Sequence, residues 1–328
     1  MSSVAVVIPV FNGRPMLERL LDTLRAQTAP AAEILVVDNG STDGAAQAAE
    51  SWGARVVRLG HNRGFAIAVN RGIAETRAPL VALVNSDVEL RPDWIERMTA
   101  AMERSDAWFV TGKLLDASDP SRLDGAFDAL CRGACPWRAG HARPDSPLFD
   151  LPRPIRFASA TATLYRRALF DEVGRFDPAF ESYLEDVDFS LRCACRGREG
   201  VYVPGAVATH RGGATRGPWH PATVRLTARN QLLLVAKHYP GSLLLRWAWP
   251  ILVAQSLWGL VAARHGAFSP WLRGKLGGVG DFQRAPADPS TLARILRESE
   301  REIRDLQRQT GFDPYWRLYF LLTFGGAN

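Results

Sequence analysis

Between positions 211 and 280 the chain has no aspartate or glutamate, yet it carries nine lysines and arginines. The first 210 residues hold 24 basic and 27 acidic side chains, and the last 48 hold seven of each, so the net charge of +6 belongs to one segment. That asymmetry predicts an anionic surface beside the segment and no nucleic-acid partner for the protein as a whole. Cysteine is scarce as well. Cys131, Cys135, Cys193 and Cys195 make no disulfide framework in 328 residues. Their C-x3-C and C-x-C spacings miss the C-x2-C of zinc ligands, leaving reduced cytosolic thiols as the expectation. The opening MSSVAVVIPVF has no basic n-region and no cleavage site, which argues against secretion. No G-x-G-x-x-G follows the first strand-like run, where the chain reads IPVFNGRP, so a nicotinamide or flavin enzyme is disfavoured. Long apolar runs are missing too. The uncharged stretch 247–263 is seventeen residues and contains Pro250, Gln255 and Ser256, at the lower limit for a membrane span.

What is present is an ordinary globular composition, 47% hydrophobic and 23% charged, enough for a sizeable core. Up to about residue 115, short apolar runs (SVAVVIPV, EILVVD, ARVVRL, PLVALVNSD) alternate with helical patterns. One of these is MLERLLDTLRAQ, with Leu17, Leu20, Leu21 and Leu24 on one face. This predicts an α/β layer of mostly parallel strands covered on both faces. Ligands on such sheets bind beyond the carboxyl ends of the strands. The polar tips Phe11-Asn12-Gly13, Asp38-Asn39-Gly40-Ser41 and Asn85-Ser86-Asp87 are therefore the informative residues. Residues 116–155 read as an irregular connection and FASATAT at 157–163 as a strand. ESYLEDVDFSLR reads as a helix bearing Leu184, Val187 and Leu191 on one face, and a last strand ends at His210.

Taken together, VVIPVFNG, ILVVDNGSTDG, NRGFAIAVNRGI, ALVNSDVEL and YLEDVDFSLR, in this order, resemble the family-2 glycosyltransferases with a GT-A fold, in their rhamnosyltransferase-like branch. The resemblance covers residues 3–215. It implies a GT-A domain over 1–215, a mainly helical C-terminal extension over 216–328, basic and amphipathic at 216–280, and transfer of a sugar from a nucleotide diphosphate (dTDP- or UDP-linked) to a hydroxyl. It assigns donor binding to Asp38 with the Pro9 and Phe11 backbone beside it, then to Arg63 and Asn70, and to Asn85, Ser86 and Asp87. By its side chain alone Asp38 reads equally as a turn residue. The family's D-x-D is Asn85-Ser86-Asp87 here, so Asp87 is the one carboxylate ligand offered to Mn2+ or Mg2+. His210 resembles a further metal ligand, although a lone histidine suits many other roles.

Four carboxylates crowd positions 181–188: Glu181, Glu185, Asp186 and Asp188. A helix dipole and an ordinary surface i,i+4 pair to Arg192 account for Glu181 and Asp188. Glu185 and Asp186 fall where the family keeps its base, and the resemblance makes Asp186 the base and Glu185 its neighbour. The chain departs from the family at FASATAT, where relatives often carry a glycine, and leaves Ala160 or Thr161 to narrow the sugar pocket, with Tyr183 nearby.

The Trp-bearing stretch with Trp247, Trp249 and Trp258 between Arg246 and Arg264 predicts an enzyme held at the inner face of the cell membrane. A saccharide or polyprenyl-linked acceptor would lie there. A buried core helix is the alternative for that stretch. The 290–309 run, with its mixed Arg and Glu, reads as a solvated face or a partner contact. Rival readings of the whole chain are a nucleotidyltransferase, which should show a glycine-rich phosphate loop after the first strand, and a non-catalytic nucleotide-sugar-binding relative.

Overall fold

A computed structural model describes residues 3–212, 217, 219–285 and 287–324. The chain divides into two compact units: 1–127 with 140–215, and 128–139 with 216–328.

The first unit opens with the expected alternation: β1 (Val4–Val10), α1 (Arg14–Arg25), β2 (Glu33–Asp38), α2 (Ala45–Trp52), β3 (Arg55–Arg58), α3 (Phe65–Glu75) and β4 (Leu80–Val84). Every residue of β1 and β4 is buried, as strands covered on both faces must be. Leu17, Leu20, Leu21 and Leu24 of α1 pack with Val6, Ile8 and Val36. Next come β5 (Val88–Leu90), α4 (Trp94–Glu103), β6 (Phe109–Asp116) and β7 (Leu123–Gly125). The strands β8 (Asp128–Leu130) and β9 (Pro136–Arg138) belong to the second unit. The first unit resumes with β10 (Arg153–Ile155), β11 (Ala162–Arg166), α5 (Arg167–Val173), α6 (Glu185–Cys195) and β12 (Gly200–His210).

Ten strands form one sheet in the order β10-β12-β6-β11-β4-β1-β2-β3, with β5 on β12 and β7 on β6. Strands β4, β1, β2 and β3 are parallel. Strand β11 runs antiparallel to both β4 and β6, and β6 is parallel to β12. The carboxyl ends of β1, β2, β4 and β12 therefore lie along one edge. Two sequence expectations are corrected here. The strand read at 157–163 begins only at Ala162, because residues 157–161 form a buried loop. The connection read as irregular holds β7 and β10, three-residue strands too short to show a period.

The second unit joins the β8–β9 hairpin to α7 (Pro221–His238), α8 (Gly241–Arg246), α9 (Ala248–Arg264), α10 (Phe268–Leu276), α11 (Pro289–Thr310) and α12 (Pro314–Phe324). Among the described residues no helix is long and apolar enough to cross a membrane. The three tryptophans do not share one environment. Trp247 is buried, edge-on to Tyr239 with ring centroids 5.6 Å apart, whereas Trp249 is 56% exposed. Trp258 packs beside Val224, Ala262 and Ala267. Helix α9 is not the expected amphipathic helix: Val253, Ala254 and Leu257 are buried while Trp249, Leu252 and Leu260 are exposed, so it is apolar all round.

Candidate active site

Two tight turns at the carboxyl edge are locked to each other. After β1, Asn12 and Gly13 both adopt left-handed backbone, φ 56° and 87°. Asn12 donates its N–H to Ser41 Oγ at 2.9 Å, and its Oδ1 accepts from Thr42 N at 3.0 Å. Asp38 is buried, and its Oδ1 accepts from Ser41 N at 2.9 Å. Its turn-capping role is thus real, and it stands at the tip of β2 paired with Val10. Asn39 continues the same work. Its Oδ1 accepts from Arg63 N at 2.8 Å and its Nδ2 donates to Asn62 Oδ1 and Gly64 O, both at 3.2 Å. Gly40, at φ 86°, has to be glycine here. A Cβ would sit 2.5 Å from His61 Cα.

Strand register brings Asp87 to His210. β5 pairs antiparallel with β12, Val88 opposite His210, so Asp87 abuts the end of β12 and its carbonyl accepts from Arg211 N at 3.1 Å. The His210 Nε2 lies 3.4 Å from Asp87 Oδ1, and the Nδ1 lies 2.9 Å from Asp124 Oδ2. Asp124 was missed by sequence reasoning. It sits in β7 between Leu123 and Gly125, where the pairing with β6 slips by one residue, and such a bulge re-aims a side chain. Burial alone would lower the His210 pKa. The hydrogen bonds to Asp124 and Asp87, with their charges, outweigh it and raise it to about 9.

The carboxylate stretch enters α6 through strained backbone. Glu181, Tyr183 and Leu184 all have positive φ, 58°, 70° and 68°, a concentration typical of functional loops. The Glu181 carbonyl accepts from Ala66 N at 3.1 Å and Ser182 Oγ from Phe65 N at 3.2 Å, which docks the stretch on the start of α3. Asp186, half-buried, receives Val187 N on Oδ1 at 2.8 Å and Ala160 N on Oδ2 at 3.2 Å. Thr161 O in turn accepts from Asn85 N at 2.8 Å. The 158–161 loop thus ties the carboxylate of Asp186 to the Asn85-Ser86-Asp87 tip. Glu185 is buried, with Oε2 lacking any hydrogen-bond partner. Burial first, then the charges of Asp186 and Asp188, push its carboxyl well above the ordinary range. Two adjacent carboxyls are thereby set apart: one half-buried and anchored, one buried and held towards its neutral form.

The expected surface pair Asp188–Arg192 is corrected. Asp188 is fully buried, bonded to Arg192 at 3.0 Å, and Arg192 also donates to Val173 O at 2.9 Å and Arg175 O at 2.6 Å. Its i,i+4 spacing is right, but the pair faces the core because α5 and its following loop cover it. Asn70 commits both ends of its amide to Phe176, donating to the carbonyl at 2.7 Å and accepting from N–H at 3.1 Å. Ala160 and Thr161 are buried, whereas Arg63 and Tyr183 are exposed, Tyr183 by 40%. Pro9 is buried within β1, and Phe11 and Ser86 are half-buried at the strand tips.

Among the described residues no three His, Cys, Asp or Glu side chains converge to hold an ion unaided. The donor set nonetheless fits a divalent cation that a diphosphate would complete. It offers one carboxylate, Asp87, and one imidazole whose far nitrogen is fixed by a second carboxylate, a common support for metal-binding histidines. It also offers Asn85 Oδ1, buried without a hydrogen-bond partner.

The chain is 32% identical over 229 residues to an N-acetylglucosaminyl-diphospho-decaprenol L-rhamnosyltransferase of Mycobacterium tuberculosis, covering 62% of this chain and 75% of the relative. Its fold is similar to that of GalNAc-T7, crystallised with UDP, GalNAc and Mn2+. There the TM-score is 0.67 at 14% identity, covering 96% of this chain and 59% of the other. It is also similar to the mannosyltransferase PcManGT from Pyrobaculum calidifontis, in complex with GDP-Man and Mn2+. For that pair the TM-score is 0.53 at 16% identity, covering 100% of this chain and 88% of the other. The fold is GT-A, a mixed sheet flanked by helices with further helices towards the C-terminus. With the sequence profile of glycosyl transferase family 2 matching residues 5–174, over the strand tips Asp38 and Asp87 and the loop that carries Ala160, the chain belongs to that family.

Proposed function

We propose that this glycosyltransferase is inverting and metal-dependent, and that it moves rhamnose from a dTDP- or UDP-linked donor to a hydroxyl of a lipid-linked saccharide. The setting is cell-envelope polysaccharide synthesis, with the enzyme cytoplasmic and peripheral to the inner face of the membrane. The mycobacterial relative, named as a rhamnosyltransferase for a diphospho-decaprenol-linked sugar, supports the donor and acceptor class. The observation that carries the chemistry is Asp186, accessible yet held by Ala160 N–H on a loop that is itself bonded to Asn85.

In this reading the loops after β1 and β2, with Asp38 and the exposed Arg63, hold the nucleotide. Asp87 and His210 would hold Mn2+ or Mg2+, which when bound neutralises charge on the departing diphosphate. Asp186 accepts the proton of the acceptor hydroxyl as its oxygen bonds to the anomeric carbon. The bond from that carbon to the diphosphate oxygen breaks, and the nucleoside diphosphate leaves with its electron pair. A retaining route needs a second, ionised carboxylate as nucleophile. Glu185, buried and pushed towards its neutral form, does not suit that role.

Calorimetric titration of dTDP-rhamnose, UDP-galactose, UDP-N-acetylglucosamine and GDP-mannose, with and without Mn2+, tests the reading. Metal-dependent selection of one donor is the expected result. Asp186→Asn should then leave that affinity unchanged while lowering transfer by roughly 10²–10⁴-fold. Failure to bind any donor would overturn the reading, and selective donor binding without any metal-dependent turnover would favour the non-catalytic relative, to which Asn85 in place of a carboxylate lends weight.

A further inference from the structure

The second unit contains a cleft of about 470 Å³ between α8 and α11 whose lining is dominated by four arginines, Arg246, Arg294, Arg297 and Arg301. Three of them follow each other along α11 at spacings of three and four, so they share one face of that helix. The opposite face, with Leu292, Ile295, Leu296 and Ile303, is buried. One acidic residue lines the cleft, Glu298, and it lies 3.6 Å from Arg294. Arg246, Arg297 and Arg301 have no ion-pair partner among the described residues. Burial, then the charges of Arg246, Arg132 and Arg301, lower the Arg297 pKa, with Glu300 opposing. Like charges gathered in this way repel, and an anion seated among them would relieve that repulsion.

The same unit also exposes apolar side chains. Leu245, next to Arg246, is 84% exposed. On α9, Trp249 and Leu252 are exposed three residues apart, and on α12 Leu318, Leu321 and Leu322 are exposed on one face. The Trp249 indole N–H donates to Leu322 O at 2.9 Å, which joins the two helices' exposed residues into one strip. A soluble anion has no use for such a strip, whereas a bilayer engages both parts. Phosphates meet the arginines, and the leucines and the indole enter the interface.

We infer that the α8–α11 arginine cleft takes the phosphate groups of anionic phospholipid, with the α9–α12 apolar strip entering the same bilayer surface. This extends the membrane placement proposed above and names the residues that achieve it. Arg246, Trp249 and Leu252 belong to or flank the Trp-bearing stretch read from the sequence, whereas the α11 arginines and the α12 leucines do not.

The test is flotation of the full-length protein with phosphatidylcholine vesicles, with and without phosphatidylglycerol. Wild type should float with the anionic vesicles, and more weakly as salt rises. Arg297→Ala with Arg301→Ala should lower the partition coefficient about thirtyfold, each arginine contributing about fivefold. Arg297→Lys with Arg301→Lys, which keeps the charge, should retain most of the binding and guards against simple misfolding. Leu252→Asp with Leu321→Asp should weaken binding as well. Wild-type indifference to anionic lipid, or undiminished binding by the double alanine variant, would overturn the inference. Pyrophosphate binding that depends on Arg297 and Arg301 without any flotation would also overturn it, in favour of a soluble-anion site. Metal-dependent donor turnover, measured without vesicles, reads the proposed transfer separately, so either idea can fail alone.

Discussion

Asp124 acts on the candidate site through another residue. Its Oδ2 holds His210 Nδ1 at 2.9 Å, which fixes the ring so that Nε2 faces Asp87. Outer-shell carboxylates of this kind orient an imidazole and raise its basicity, and losing one commonly weakens metal affinity by about 10–100-fold. Asp124→Asn should therefore raise the Mn2+ dissociation constant by that factor, read by electron paramagnetic resonance in the presence of nucleoside diphosphate. Donor-free thermal stability should move little. An unchanged Mn2+ affinity would show that His210 is held by other means or is not a ligand. Nothing in the sequence marks this residue. Asp124 lies in SRLDGAFD, and its orientation depends on a register slip between β6 and β7 that no local pattern encodes. Asp87, by contrast, was legible because it follows an unbroken apolar strand, and strand tips are where chemistry collects on such sheets.

At the scale of elements, the approach to α6 is held by α3. Glu181 O and Ser182 Oγ accept from the first N–H groups of α3, and Asn70, one turn further on, clamps both polar groups of the Phe176 backbone. A Cβ on Gly64 would meet Glu181 O at 2.8 Å, so that junction is closed tightly. Asn70→Ala should cost about 1–3 kcal/mol, from two backbone groups left without partners. It should also lower the transfer rate by loosening the strained 181–184 backbone ahead of Asp186, while leaving the donor dissociation constant within about twofold. A loss of donor affinity larger than the loss of rate would instead place Asn70 against the nucleotide, as the family resemblance suggests. The sequence showed that α6 exists through its apolar spacing, and α3 through the alternation of strand-like and helical runs. It could not show that one buttresses the other, since a contact across 106 residues leaves no trace in local spacing. For the same reason the i,i+4 pair Asp188–Arg192 was visible but its burial was not.

Across the whole molecule, the second unit is assembled from two separated stretches of chain, 128–139 and 216–328. A boundary at 215 is what the family resemblance implies, and the acid-free segment starts close by, at 211. The earlier stretch carries no such signal and read as part of an irregular connection. What makes it part of the unit is a set of polar bonds to its backbone. Leu130 N donates to Ser299 Oγ at 2.8 Å and Arg132 N to Glu300 Oε1 at 2.9 Å. Tyr239 OH donates to Arg132 O at 3.1 Å and Gln255 Nε2 to Gly133 O at 2.7 Å. Glu300 is fully buried, and its other oxygen meets Arg132 Nε at 2.5 Å. The mixed Arg and Glu run on α11 is thus only partly a solvated face, since one of its glutamates is a central tie of this unit. Removing one partner of a buried pair leaves the other charge uncompensated and costs about 3–5 kcal/mol. Glu300→Ala should accordingly lower the calorimetric midpoint of the transition that unfolds this unit by roughly 10–20 °C. Limited proteolysis should then open the chain first within 128–139. A shift of only a degree or two would mean that the apolar packing of α11, and not the Glu300 tie, holds the hairpin.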